Sequence, residues 1–187
     1  MSTSKTNLLT HGFRGKVGNQ YVMKNRNGKQ IIAAKPDSST KVYSEAQLAS
    51  RKAFAEATTY AKGVMKNPDL KAAYAVRGDG HISAYAAAVT DFYKQPWISA
   101  IETDRYQGKT GDTLTVSAGD YFRVVEVAVT ITNAMGQEIE AGQCVLNDVT
   151  SKWVYTATVE NSDMAGTTIK AVVRDLPDHK VEASVVM

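Results

Sequence analysis

The sequence predicts an α+β chain in three parts: a basic β-hairpin, a three-helix segment and an all-β sandwich. Three observations point there. Asn27-Gly28 sits between two short β-rich runs, QYVMK and KQIIAA, in a stretch with many cations. Small and apolar residues then recur at helical spacing from Ala46 to Val64. After Trp97 the apolar period changes to two, with Val125, Val127, Val129 and Ile131 alternating with Glu126, Ala128, Thr130 and Thr132. A period of 3.6 marks a helix face and a period of two marks a half-buried strand.

The hairpin comes first. Asn-Gly is a strong hairpin signal because both residues tolerate the positive φ that a type I′ turn requires. Gly12, Gly15 and Gly18 precede it, so the lead-in reads as an irregular loop, and Pro36 to Thr40 reads as a turn-rich connector. Residues 11–35 hold Arg14, Lys16, Lys24, Arg26, Lys29 and Lys35 without a single Asp or Glu.

Helices follow over residues 41–98. Ser44-Glu45-Ala46-Gln47 fits a capping box, in which Ser44 and Gln47 each satisfy the other's backbone N–H. Ala46, Ala49, Ala53, Ala57, Tyr60/Ala61 and Val64 form an inward stripe, flanked by Phe54 and Met65. Asn67-Pro68 ends this helix and opens a second, since proline at the first helical position loses no hydrogen bond. The second stops at Gly78. A third runs from near His81 to Phe92, with Ile82, Tyr85, Val89 and Phe92 on one face, and Gln95-Pro96 breaks it.

The third part occupies residues 106–187, beyond a boundary near 96–106. Its strands are expected at Thr113–Ser117, Val125–Ile131, Gly142–Leu146, Trp153–Thr158, Thr168–Arg174 and Val181–Val186. Turn signals at Asn133 to Gly136, Asn147-Asp148 and Pro177-Asp178 separate them, a spacing that suits a sandwich.

Composition bounds the function. The chain has 187 residues, 43% of them apolar and 22% charged, ordinary proportions for a globular protein. No apolar run approaches the roughly 20 residues needed to cross a bilayer, and the first residues lack the apolar centre of a secretory signal. Cys144 is the only cysteine, so no internal disulfide forms. These features place the chain in the cytoplasm, or in a virion if a phage encodes it.

The net charge of +3 hides a polarity. Residues 1–40 carry seven Lys/Arg against Asp37, a net of +6. Residues 41–100 stand at +3, and residues 101–187, with seven basic and thirteen acidic side chains, at −6. Such asymmetry suits an electrostatic partner or head-to-tail assembly, and equally two modules with different surfaces.

The segments VEVAVTITNAMGQEIEAGQCVL, KWVYTATV and GTTIKAVVRD together resemble a bacterial immunoglobulin-like module without disulfides, over roughly residues 106–187. The resemblance implies a glycine turn at Gly136, a Trp153 packed between the sheets in place of a disulfide, and Asp175 before the last hairpin. It brings no site with it. The first half resembles, more loosely, small proteins of Bacteroidetes and their phages and mobile elements. The residues that carry this are Gly15–Asn19, Asn27–Lys29, and Ser44 through Arg51 to Phe54. The resemblance implies a structural component and no activity.

No constellation for catalysis emerges. Gly108-Lys109-Thr110 lacks the glycine five positions earlier that a phosphate-binding loop needs, since residue 103 is Thr. Arg77-Gly78-Asp79 falls at a helix-to-helix turn, where glycine and aspartate serve as caps. His11, His81 and His179 lack metal-ligand spacing, and Asp79 with His81 lacks the third group and pocket of a general base. Cys144 reads as a small buried side chain. Asp104, Asp112, Asp120 and Asp148 lack the dense spacing of a calcium loop. A non-catalytic protein without cofactor or metal is therefore expected.

The basic arm remains, with Arg14, Lys16, Lys24, Arg26, Lys29 and Lys35 as the binding residues. Three uses are open for it. It is a solvated hairpin that blunts a sheet edge, a surface that docks on an acidic protein or a second copy, or a contact for nucleic-acid phosphates. Only Phe13 and Tyr21 offer rings for base stacking, which disfavours a sequence-specific reader. The leading expectation is an assembly component of a phage-like particle that docks through this arm. Sequence-nonspecific nucleic-acid binding is the alternative.

Overall fold

The computed structural model describes residues 2–4, 12–26, 29–35 and 42–187. The Asn27-Gly28 turn, the Pro36–Thr40 connector and His11 lie outside them. The chain forms two compact units, Met1–Leu48 and Ala49–Met187.

The first unit holds β1 (Ser2–Ser4), β2 (Gly15–Val17), β3 (Tyr21–Arg26) and β4 (Lys29–Ala34). All neighbours are antiparallel, in the order β1-β4-β3-β2. The hairpin is present, with Arg26 opposite Lys29 and Tyr21 opposite Ala34. The lead-in departs from expectation, because Gly15–Val17 pairs with Tyr21–Met23 as a strand. Glycine spacing signals positive φ, which Gly12, Gly15 and Gly18 all adopt, but it does not forbid a strand between such points. Gly18, at φ +56, opens the turn that lets β2 fold back on β3.

α1 spans Glu45–Lys66, α2 Pro68–Arg77 and α3 Ala84–Tyr93. The capping box forms as predicted: Ser44 N donates to Gln47 Oε1 at 3.1 Å and Gln47 N to Ser44 Oγ at 3.4 Å. Asn67 caps α2 by accepting from Asp69 N and Leu70 N at 3.0 and 3.2 Å. Gly78 terminates it in a right-handed conformation. Glycine is needed there for space, since a Cβ would meet Ile82 O at 2.4 Å.

The predicted inward stripe of α1 is only half inward. Ala57, Ala61 and Val64 are buried, whereas Ala46 and Ala49 are exposed, as is the flanking Phe54. The reason is length. At about 1.5 Å per residue, α2 and α3, with 10 residues each, are too short to cover the 22 of α1. α3 also begins later than expected, at Ser83, whose Oγ accepts from Ala86 N. Its fully buried residues are Ala87, Ala88 and Asp91 rather than Ile82, which is exposed.

The rest of the second unit holds β5 (Trp97–Glu102), β6 (Thr113–Gly119), β7 (Val124–Thr132), β8 (Glu138–Gln143), β9 (Val145–Asn147), β10 (Lys152–Thr156), β11 (Thr168–Asp175) and β12 (Lys180–Val186). They make two antiparallel four-stranded sheets, ordered β5-β6-β10-β9 and β12-β11-β7-β8. Between them lies a core of Leu114 and Val116 from one sheet and Val127, Val129, Ile131, Ile169, Ala171 and Val173 from the other. The alternating side chains meet as period two dictates.

Four readings are corrected here. The stretch around residues 96–106 carries β5, whose WISAIE run is too mixed in burial to show an alternation. Gly142–Leu146 is not one strand: the chain leaves β8 and enters β9 of the other sheet at Cys144, whose N–H bonds Val127 O at 2.7 Å. Val125 faces out because the register shifts where Asp175 pairs with Val124. Trp153 is only partly buried against the core, and Tyr155, at 5% exposure, is the enclosed aromatic of β10.

Candidate functional site

The pairing register of the first sheet sorts its cations. Lys16 lies opposite Val22, Lys24 opposite Ile31, and Arg26 opposite Lys29. Paired residues share a face and alternate residues share a face. Lys16, Lys24, Arg26 and Lys29 therefore lie on one side, with Val22, Ile31 and Ala33 between them. Tyr21, Met23, Gln30 and Ile32 lie on the other. There Gln30 is buried and donates from Nε2 to Phe13 O at 2.5 Å, so the lead-in anchors to the face without cations.

All four cations are exposed, and among the described residues none of them forms an ion pair. Like charges directly opposite one another destabilise an antiparallel pair, and Arg26 faces Lys29 in that way. An acidic partner laid on this face would relieve that repulsion. The two remaining cations differ. Arg14 is exposed ahead of β2, outside any strand, and Lys35 follows β4 and donates to Asn19 Oδ1 at 2.6 Å.

The motifs set aside on sequence grounds have structural roles. Arg77 Nε donates to Tyr121 O at 2.7 Å and its guanidinium lies 4.3 Å from the Tyr121 ring centroid, so the Arg77-Gly78-Asp79 arginine is occupied. In the Gly108-Lys109-Thr110 turn, the N–H groups of Gln107 and Lys109 both donate to Asp112 Oδ2. Those bonds hold the Asp112 carboxyl below its ordinary range, that from Lys109 most strongly. Burial pushes the Cys144 thiol up to about 12, which leaves it an inert core group. Among the described residues no group of three or more His, Cys, Asp or Glu is placed to hold a metal ion.

A groove of about 380 Å³ opens on the outer face of the β5-β6-β10-β9 sheet. It is lined by Glu102, Asp104, Arg105, Thr113, Thr115 and Lys152, among others. Lys152 pairs with Glu102, and the charges named here cancel.

Sequence reasoning missed one cluster entirely. Tyr60 of α1, Tyr74 of α2 and Asp91 of α3 form a hydroxyl chain: the two hydroxyls are 2.7 Å apart, and Tyr74 donates to Asp91 Oδ2. Tyr74 and Asp91 are fully buried, and Asp91 Oδ1 has no partner among the described residues. Phe122 stacks on Tyr74 with centroids 3.9 Å apart. His179 meets Phe92 edge-on, while its Nδ1 lies 2.8 Å from buried Asp175 Oδ2. Burial raises the Asp91 carboxyl to about 6, the Tyr60 hydroxyl to about 12 and the Tyr74 hydroxyl higher still. The i, i+3/i+4 spacing of Ala87, Ala88 and Asp91 was readable, but a charged residue is not ordinarily assigned to an inner face.

No protein-family model, curated protein or solved structure matches this chain. The fold and site define a class only: an α+β chain with three antiparallel sheets, one of which presents a face of cations that form no ion pair among the described residues.

Proposed function

We propose that the chain is a non-catalytic assembly protein that docks through the basic face of its N-terminal sheet on an acidic protein surface, as a component of a phage-like particle. The observation that carries this is the row Lys16, Lys24, Arg26 and Lys29 on one face, exposed and without an ion pair among the described residues. The residues between those cations favour a protein partner over a single-stranded nucleic acid. Val22, Ile31 and Ala33 offer aliphatic contact, while the ring of Tyr21, which base stacking would need, belongs to the opposite face. An immunoglobulin-like reading of the two packed sheets suits the role, since a sandwich without chemistry serves as a rigid spacer. The acidic residues 101–187 of a second copy are a ready partner of the right sign.

The test compares the full chain with a variant carrying Lys16→Gln, Lys24→Gln, Arg26→Gln and Lys29→Gln. Light scattering reports self-assembly, and binding of a polyglutamate probe and of a DNA duplex is measured from low to high ionic strength. Docking on acidic protein predicts self-association or polyglutamate binding that weakens with salt and disappears in the variant. Binding of the duplex alone, with a steep salt slope, would transfer the face to phosphate contacts. A chain that stays monomeric and binds neither probe at any salt would overturn the proposal.

A further inference from the structure

We propose that Tyr60, Tyr74 and Asp91 form an acid-tightened clasp, which fixes the three helices to the sandwich while Asp91 is neutral and loosens once Asp91 ionises. This reading is independent of the docking face.

The geometry carries it. Each member comes from a different helix, and the chain of hydroxyls ends on a carboxyl with no exposed surface. The same knot joins helices to strands. Phe122, from the β6–β7 connection, stacks on Tyr74, and Leu176 from the β11–β12 connection packs on the helical core. A buried carboxylate is tolerated when both oxygens are satisfied. Here one bond from Tyr74 reaches Oδ2, and Oδ1 has no partner among the described residues. An ionised Asp91 would therefore leave charge unsatisfied in the middle of the contact.

Burial disfavours the charge most, and the surrounding groups pull in both directions. Asp120 from the β6–β7 connection and Asp175 from the end of β11 both disfavour a further negative charge. Tyr74 donates to the carboxylate and His179 attracts it, so both favour ionisation. His179 is itself held by Asp175 through both its backbone N–H and Nδ1, at 2.6 and 2.8 Å. Burial outweighs these, and the folded-state value is about 6 against an ordinary 3.8.

The sign follows from linkage. The closed state keeps its proton up to about pH 6, whereas an opened, hydrated Asp91 has lost it above about pH 4. Opening therefore releases a proton over that window, and its equilibrium constant should rise about tenfold per pH unit before levelling off. The clasp is tight in acid and slack at neutral pH.

Amide hydrogen exchange on the full chain tests this, with protection factors corrected for the intrinsic pH dependence of exchange. Protection in α2 and α3 should fall about fiftyfold between about pH 4 and pH 6.5, while β7 and β11 hold theirs. Asp91→Asn should abolish the pH dependence. Tyr74→Phe, which removes a bond that favours the ionised form, should move the midpoint to higher pH, and Asp120→Asn should move it lower. Carbon-13 titration of the Asp91 carboxyl in the unaltered protein gives a second reading that needs no variant, with a midpoint near 6 expected. A midpoint at the ordinary aspartate value, or the same pH dependence in Asp91→Asn, would overturn the clasp.

Discussion

The N-terminal sheet and the sandwich are built from the same kind of strand and hold together in different ways. Both use antiparallel pairing with four strands to a sheet. In the sandwich, one face of each sheet meets the other sheet, and Leu114, Val116, Val127, Val129, Ile131, Ile169 and Val173 lose all exposure. Among the described residues of the first unit, Gln30 alone is buried, and Ile31 and Ile32 remain half-buried. Hydrogen-bonded pairing therefore accounts for the shape of the first sheet, while apolar burial accounts for the stability of the second. What the first sheet lacks in core among its described residues it has in surface charge, and that difference is why docking is proposed for it.

The largest expected effect breaks this comparison if it fails. Ile131→Ala removes a side chain with no exposure and should cost about 2–5 kcal/mol. Ile32→Ala in β4 should cost well under half as much, because its surroundings are partly water already. Urea melts of both variants check this, and equal losses would mean that the first sheet has a core of its own.

A middle-sized effect sharpens the sandwich side. Gly142 gives Tyr155 room, since a Cβ there would meet the Tyr155 ring at 2.7 Å. The ring is held in place as well, because the hydroxyl of Tyr155 donates to buried Glu140 at 3.0 Å. Gly142→Ala should therefore destabilise by about 1–3 kcal/mol as an overpacking change. An unchanged melt would show that β8 yields more easily than the packing implies.

The smallest effect concerns the basic face. Replacing Lys16, Lys24, Arg26 and Lys29 by glutamine should alter stability by less than about 0.5 kcal/mol per position. Relief of the Arg26–Lys29 repulsion makes a slight gain the expected sign. A large loss on calorimetry would mean that these side chains support the fold, and their loss of binding would then say nothing about docking.

Some of this was legible in the residues. The capping box at Ser44, the Asn67-Pro68 junction and the alternation through β7 and β11 all depend on neighbours within a few positions, and all appear where local chemistry places them. The six cations were visible as a composition. The selection of four of them became visible only with the register, because Lys16, Lys24 and Arg26 carry even numbers and Lys29 an odd one. A two-residue connection sets that parity, and pairing across it puts Arg26 beside Lys29.

By itself, then, the sequence determined the three helices and most strands of the sandwich, the caps at Ser44 and Asn67, and the polarity of charge along the chain. These follow from backbone propensity, capping and period, which act over a few residues. The tertiary structure alone decided that Cys144 marks a change of sheet, that Trp153 packs on the core only partly buried while Tyr155 is enclosed in it, and that α1 is covered along only half its stripe. It also decided that Asp91 and Asp175 are buried and that Tyr60, Tyr74 and Asp91 meet from three helices. The physical reason is common to these cases. Burial is a property of what packs opposite a residue, and the partner is often far away in the chain, where no local pattern records it.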